Sequence, residues 1–229
     1  MAEARQVAQG VYAIEGLKTG RAYLIDDRDG LTLIDTSSRG AGDGILAAIV
    51  QIGRRAEDLR TIVATHYHHD HTGNVEQLRE RSGAELLVHS TDRSYVEGGT
   101  PWMNGRGLLG SMLDRRAPAQ YALRVDRELR DGEVLPVAGG LRVVHAPGHT
   151  PGHIALYAPE RDTLFAGDAF GNWFGLGLPF APFTHDMDEA KRSIRRLAAL
   201  EFDVALPGHG SPVLSRASEK LREWVGKWL

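Results

Sequence analysis

Apolar positions in the first third of the chain come in short runs, each closed by glycine or an acidic turn. Gly10–Ile14, Ala22–Asp26 and Leu31–Asp35 predict strands, with Arg28-Asp29-Gly30 as a hairpin turn. The period then changes. Ile45, Ile49 and Ile52 fall at helical spacing and predict a helix over about 42–52. A β-branched run at Thr61–Ala64, a helix over about 74–81 and a strand at Ala84–Val88 follow. Residues from about 92 to 121 break the rhythm; their glycines, with Trp102, Met103 and Met112, predict a helical lid inserted over the site.

Strands resume at Glu133–Val137, Leu141–His145, Ile154–Tyr157 and Thr163–Ala166. A second irregular stretch, Ala169–His185, is dense in aromatics. Asp186 to Glu189 has the form of a capping box, opening a helix with Ala190, Ile194, Leu197 and Ala198 as its buried stripe. A strand at Phe202–Leu206 precedes a last helix on which Leu221, Trp224, Val225 and Trp228 share one face. Hairpins and strand–helix units both occur, which predicts one layered α/β domain over residues 1–229.

Composition narrows the classes. With 229 residues, 42% of them hydrophobic, the chain can bury a large core. A net charge of -3 and scattered arginine pairs disfavour a nucleic-acid partner. There is no cysteine, which excludes disulfides, thiolate ligands and a cysteine nucleophile together. The N-terminal run has no apolar core of a leader and no stretch reaches membrane-spanning length, so the expectation is a cytoplasmic protein without a membrane partner.

The chemistry is concentrated in THYHHDHTGN, where His66, His68, His69, Asp70 and His71 crowd behind the strand at Thr61–Ala64. Imidazole and carboxylate bind divalent metals, and such packing has no use in a core. Three more candidates share one grammar of apolar strand, glycine, then ligand: His149 in HAPGHTPGH, Asp168 in LFAGDAF and His209 in LPGHGS. Without His69, seven ligands remain, which exceed the needs of one tetrahedral zinc and suit two metals sharing a carboxylate. His66 and His68 point the same way in an extended segment, so they can grip one metal, while Asp70 and His71 reach a second.

The pattern H-x-H-x-D-H, followed in order by GH, GD and a late PGH, resembles the metallo-β-lactamase-fold hydrolase superfamily from Leu33–Thr36 to Pro207–Gly210. The resemblance implies an αββα four-layer sandwich, with two face-to-face mixed β-sheets and outer helices. It also implies that His66, His68 and His149 hold one metal, Asp70, His71 and His209 a second, and that Asp168 bridges them. The expected cofactor is two zinc ions per chain, with iron or manganese suited to the same donors. GHTPGH (Gly148–His153) is shared with glyoxalase-II-like enzymes, but AFGNWFGLG after Asp168 does not match their usual sequence. The closest branch is that of short generic zinc hydrolases, which includes lactonases.

The expected reaction is hydrolysis of a small ester, thioester, lactone or amide by a metal-bound hydroxide, with Asp70 orienting it and moving its proton. Two alternatives stand beside it: a mononuclear iron dioxygenase of persulfide type, and a phosphodiesterase. Trp173, Phe174 and Trp102 are the candidate substrate-binding residues. The aromatic loop equally fits a seal on the body or a homodimer contact. His89, His145 and His185 read as structural, and His69 as pointing away from the metals. His153 and Asp35 fit either a brace behind the site or ordinary packing and turn roles.

Overall fold

The computed structural model describes residues 2–98 and 122–228. Two mixed sheets carry the fold. The first runs in chain order: β1 (Glu3–Ala8), β2 (Val11–Glu15), β3 (Tyr23–Asp27), β4 (Gly30–Ile34), β5 (Leu59–Val63), β6 (Glu85–His89) and β7 (Arg127–Leu129). β1 to β4 pair antiparallel, and β4 to β7 pair parallel. The second sheet has the order β14 (Val204–Pro207), β11 (Thr163–Gly167), β10 (Ile154–Ala158), β9 (Leu141–His145) and β8 (Val134–Leu135). Only β11 and β14 pair parallel within it. A small ribbon pairs β12 (Gly171–Asn172) with β13 (Leu176–Gly177).

Six helices accompany the sheets among the described residues: α1 (Gly42–Gln51), α2 (His69–Thr72), α3 (Val75–Ser82), α4 (Arg93–Val96), α5 (Met187–Ala198) and α6 (Ala217–Gly226). None is long and apolar enough to cross a membrane.

The strands are apolar on both faces because each sheet is covered twice, and the period-two alternation sorts their residues into separate layers. On β3, Leu24 packs outward with Ile45 and Ile49 of α1, while Tyr23 and Ile25 face the second sheet. On β5, Ile62 joins the outer layer and Val63 the inner one. On β11, Phe165 faces inward, while Leu164 and Ala166 pack under Ile194 and Leu197 of α5 and Leu221 of α6. Three apolar layers between four tiers of secondary structure make the αββα sandwich that the resemblance implied.

The parallel strands β4, β5 and β6, and the strands β9, β11 and β14 that run together in the second sheet, deliver their C-terminal loops to one edge. A short cross-tie holds that edge shut: Thr65 O accepts from Ile154 N at 2.9 Å. Asp186 caps α5 by accepting from Glu189 N, as its sequence suggested.

Several expectations need correction. The strand over Glu133–Val137 shrinks to Val134–Leu135, where Pro136 has no N–H for a ladder. The strand expected at Phe202–Leu206 forms over Val204–Pro207. β1 went unpredicted because it is a largely exposed edge strand with a polar sequence, held by pairing to β2. The Ala169–His185 stretch is not wholly irregular, since it contains the β12–β13 ribbon. Of the expected lid, only its start with α4 falls within the described residues; the rest, including Trp102, lies outside them.

Tyr23 joins the two sheets. Its buried ring meets Phe165 edge-on at 6.0 Å, and its hydroxyl donates to Pro207 O at 2.6 Å. Tyr23→Phe leaves that carbonyl without its donor and should cost about 1–3 kcal/mol of stability. Urea denaturation checks this, and an unchanged midpoint would show the bond to be dispensable.

Candidate metal centre

Each potential ligand leaves the end of a strand in the two-sheet edge. After β5 the chain does not stay extended as expected but bends through Thr65–Tyr67, which brings the His66 and His68 rings together with centroids 4.7 Å apart. His66 Nε2 lies 3.0 Å from His68 Nδ1, and His149 Nε2 lies 3.0 Å from the same atom. The neighbours of these rings set their tautomers. Thr65 Oγ1 gives its proton to Asp35 Oδ2 at 2.8 Å, so it can only accept from His66 Nδ1 at 3.0 Å. Thr184 Oγ1 donates to Phe180 O, so it accepts from His149 Nδ1 at 3.3 Å. Both Nε2 atoms therefore present lone pairs to one point.

Burial, followed by neighbouring imidazoles, pushes His66 well below the usual imidazole range. Burial likewise lowers His149 well below it, and His68 to about 4, against the pull of nearby carboxylates. Neutral imidazole is the form that binds metal.

The second group forms where α2 turns the chain. Asp70 Oδ2 is 3.1 Å from His209 Nε2, which is 3.3 Å from Asp168 Oδ2. Asp168 Oδ2 is also 3.3 Å from His149 Nε2, and Asp168 Oδ1 is 3.4 Å from His71 Nε2. Asp168 thus touches both groups. Among the described residues, the donor atoms of His66, His68 and His149 lie within 4.8 Å of one another, as do those of Asp70, His71 and His209. A third such set, His66, His71 and Asp168, joins the two.

His71 Nδ1 donates to Asp35 Oδ2 at 2.7 Å, which leaves His71 Nε2 and Asp168 Oδ1 facing each other, buried and without a hydrogen-bond partner. Two facing acceptors need a proton or a cation between them. Burial alone would lower His71 and His209, but Asp168 and its fellow carboxylates hold His71 well above the usual range and His209 at about 9. Asp70 and Asp168 are held below the carboxylate range by His71 and His209, against the effect of their burial. A divalent cation can take the place of those protons, so the donor set fits a metal.

A brace of polar residues fixes this arrangement, and little of it stands out in the sequence. Asp35, which the sequence leaves open, adopts φ 59°, a left-handed conformation that aims both of its oxygens inward. Besides His71 and Thr65 Oγ1, it accepts from Thr65 N at 2.7 Å. Asn74 is a buried hub: Oδ1 accepts from Gly40, Ala41 and Gly42 N, while Nδ2 donates to Thr36, Ser37 and Ser38 O. The other open case, His153, donates from Nδ1 to Ala146 O and accepts Asp168 N–H at Nε2, so both ring nitrogens are used. Gly208 lacks a Cβ because one would strike Asp168 Oδ1 and come within 2.7 Å of His71 Cε1.

The remaining histidines sort cleanly. His69 opens α2 and is exposed at the cavity rim rather than buried with the others. His89 and His145 stack on each other, with ring centroids 4.2 Å apart, and belong to none of the three donor sets. His185 N donates to His149 O.

A cavity of about 430 Å³ opens on the donor set, floored by His68, Asp70, His149, Asp168 and His209. Phe170, Trp173, Pro179, Phe180 and Phe183 wall it. Trp173 lies flat on His209, with ring centroids 5.7 Å apart. Phe174 corrects the expectation set for it: it sits in the turn of the β12–β13 ribbon, is fully exposed, and does not line the cavity.

Asp35→Asn puts an amide where only acceptors fit: either rotamer turns N–H groups toward Thr65 N or toward the Thr65 hydroxyl and His71 Nδ1. Because Asp35 supports His66 through Thr65 and also His71 directly, zinc affinity should fall by about 10- to 100-fold at both donor sets. Competition titration against a chromophoric chelator checks this, and wild-type affinity would refute the bracing role.

Comparison with known proteins agrees with this geometry. Residues 16–209 match the model of the family described as Metallo-beta-lactamase superfamily. The chain is 29% identical to the probable metallo-hydrolase YflN of Bacillus subtilis over 233 residues, covering 92% of this chain and 88% of that protein. It is 33% identical to a hydroxyacylglutathione hydrolase of Synechococcus over 162 residues, or 69% of this chain and 52% of the relative. Among solved structures, the metallo-beta-lactamase family protein TTHA1429 from Thermus thermophilus superposes with a TM-score of 0.69 at 27% identity. That match covers 96% of this chain and 79% of the other. With its sandwich, its strand-end histidines and carboxylates and this match over most of its length, the chain belongs to the metallo-beta-lactamase superfamily and is a metal-dependent hydrolase.

Proposed function

We propose that the protein hydrolyses a small ester, thioester or lactone bearing an apolar acyl group, with two zinc ions as its cofactor. One observation carries this reading: an aromatic-walled cavity opens directly on the converging donor atoms. By position, His66, His68 and His149 would hold one ion and Asp70, His71 and His209 the other, with Asp168 within reach of both. Zinc bound there supplies Lewis acidity, making an attacking water acidic and polarising the substrate carbonyl.

The chain's own groups do the rest. Phe170, Phe180 and Phe183 exclude water from the acyl side and favour an apolar substituent. Trp173 forms a flat wall beside His209 that orients that substituent. Asp70 lines the cavity beside His209, where its carboxylate is placed to take a proton from the attacking water and return it to the leaving group. The described cavity lining contains no lysine or arginine, which weighs against a phosphodiester substrate. The similarity to a hydroxyacylglutathione hydrolase supports the thioester member of the substrate class.

Elemental analysis of the purified protein should find about two zinc per chain, and chelation should abolish hydrolysis of acyl thioesters or lactones until zinc is restored. One iron per chain, with oxygen consumed on a persulfide, would overturn the reading in favour of a dioxygenase. Asp70→Asn should lower kcat by about 100- to 10,000-fold, and a near-wild-type rate would remove its proton role. Trp173→Ala should raise KM for apolar acyl substrates by about tenfold with kcat little changed, about 1.4 kcal/mol of binding common to ground and transition states. Loss of stability with KM unchanged would instead make Trp173 a seal.

A further inference from the structure

Asp92, just beyond β6, is a carboxylate for which the hydrolytic reading has no use, yet it is 1% exposed. Asp92 Oδ2 accepts from Tyr67 N at 3.2 Å and from Thr150 Oγ1 at 2.7 Å, and Oδ1 accepts from Gly152 N at 2.6 Å. Tyr67 stands between His66 and His68, and Thr150 directly follows His149. A single carboxylate therefore binds the backs of the two loops whose histidine nitrogens meet 3.0 Å apart on the other side.

The surroundings are shaped to this contact. Gly152 has no room for a side chain, since a Cβ would lie 2.6 Å from Asp92 Cγ and from Asp92 N. Thr150 is fully buried, and the Tyr67 ring stacks on Tyr95 of α4, whose first turn is bonded to Asp92 O. Burial pushes the Asp92 carboxyl up to about 6 against the pull of its three donors. Keeping an anion there is costly unless its donors are held in place, and here those donors are the ligand loops themselves.

The second donor set is held by other residues. His71 hangs on Asp35. The His209 loop is bound by Arg21 Nε to Gly210 O at 2.8 Å and by Tyr23 to Pro207 O. Asp92 bonds to none of these.

We infer that Asp92 is a positioning residue for the three-histidine set alone, fixing the spacing of the His66–His68 and His149 loops so that a cation can enter between them. The inference rests on the ligand assignment proposed above. In Asp92→Asn the amide N–H groups must face either Gly152 N–H or the Tyr67 and Thr150 donors, so at least one loop donor loses its acceptor and the tie between the loops loosens while the side-chain volume is kept.

The test is a zinc titration against a chromophoric chelator on wild type, Asp92→Asn, Thr150→Val and Thr150→Ser, with circular dichroism as a check of folding and cobalt spectra to show which site is filled. In Asp92→Asn one equivalent should weaken by about 10- to 100-fold and the other should stay within about twofold. Thr150→Val should shift the same equivalent in the same direction, while Thr150→Ser, which keeps the hydroxyl, should retain it. Wild-type affinity for both equivalents in Asp92→Asn, or equal weakening of both in a folded protein, would overturn the assignment. Should Asp92→Asn fail to fold, the threonine pair decides, and identical affinities for valine and serine would overturn it. A wild type binding a single zinc refutes the two-zinc reading separately, and loss of that one equivalent in Asp92→Asn still upholds the role of Asp92.

Discussion

The centre of this molecule is a charge problem. Asp168 is nearly buried among His71, His149 and His209, with one oxygen 3.4 Å from His71 Nε2 and neither atom of that pair given a hydrogen-bond partner. Such a group is tolerated only where positive charge is supplied, as protons on the imidazoles or as a divalent cation among them. The rest of the edge can be understood from that need. Donors that would repel one another as cations, and that are costly to desolvate, must be held closer than they would settle by themselves.

Rigidity to do this comes from the layered core. Strands buried on both faces cannot tilt without opening an apolar layer, so their ends are fixed points. The loops between those points are then tied to one another rather than left to pack. Asp35 links the β4 loop to the β5 loop and to α2, His153 links the β9–β10 loop to the start of the Asp168 loop, and Tyr23 links β3 to the His209 loop. Each tie is a buried acceptor or donor whose partner lies far away in sequence. Each is therefore strong only if the sandwich is already assembled.

That dependence explains what could be read from the chain beforehand. The strands and amphipathic helices were legible because their signal is local: short apolar runs at Leu31–Ile34 and Leu141–His145, a helical stripe in Ile45 and Ile49, a capping pattern at Asp186. The ligand candidates stood out because histidines at such density, and glycine–ligand pairs after apolar strands, have few other uses. The braces did not. Asp35 in LIDT, Asn74 in HTGN and Asp92 in HSTD look like turn or cap residues, and their side-chain partners are 25 to 60 positions away. β1 was invisible for a related reason, since an exposed edge strand owes its conformation to its neighbour. Phe174 shows the opposite failure: hydrophobicity suggested a pocket wall, but the turn of the β12–β13 ribbon directs it outward.

The division between centre and wall also bears on how such a site can be specific. The donor set is over-determined, with most of its ring nitrogens assigned by a neighbour, so it leaves little freedom to distinguish one substrate from another. Discrimination must come from the cavity wall. There the fixation is weaker: Trp173 is half exposed and rests on His209, and Phe180 and Phe183 leave much of their surface to solvent around a one-turn segment. Such side chains can be exchanged without disturbing any tie among the braces. A rigid centre braced from behind and a wall held mainly by stacking let the hydrolytic chemistry stay constant while the substrate group that the wall admits changes.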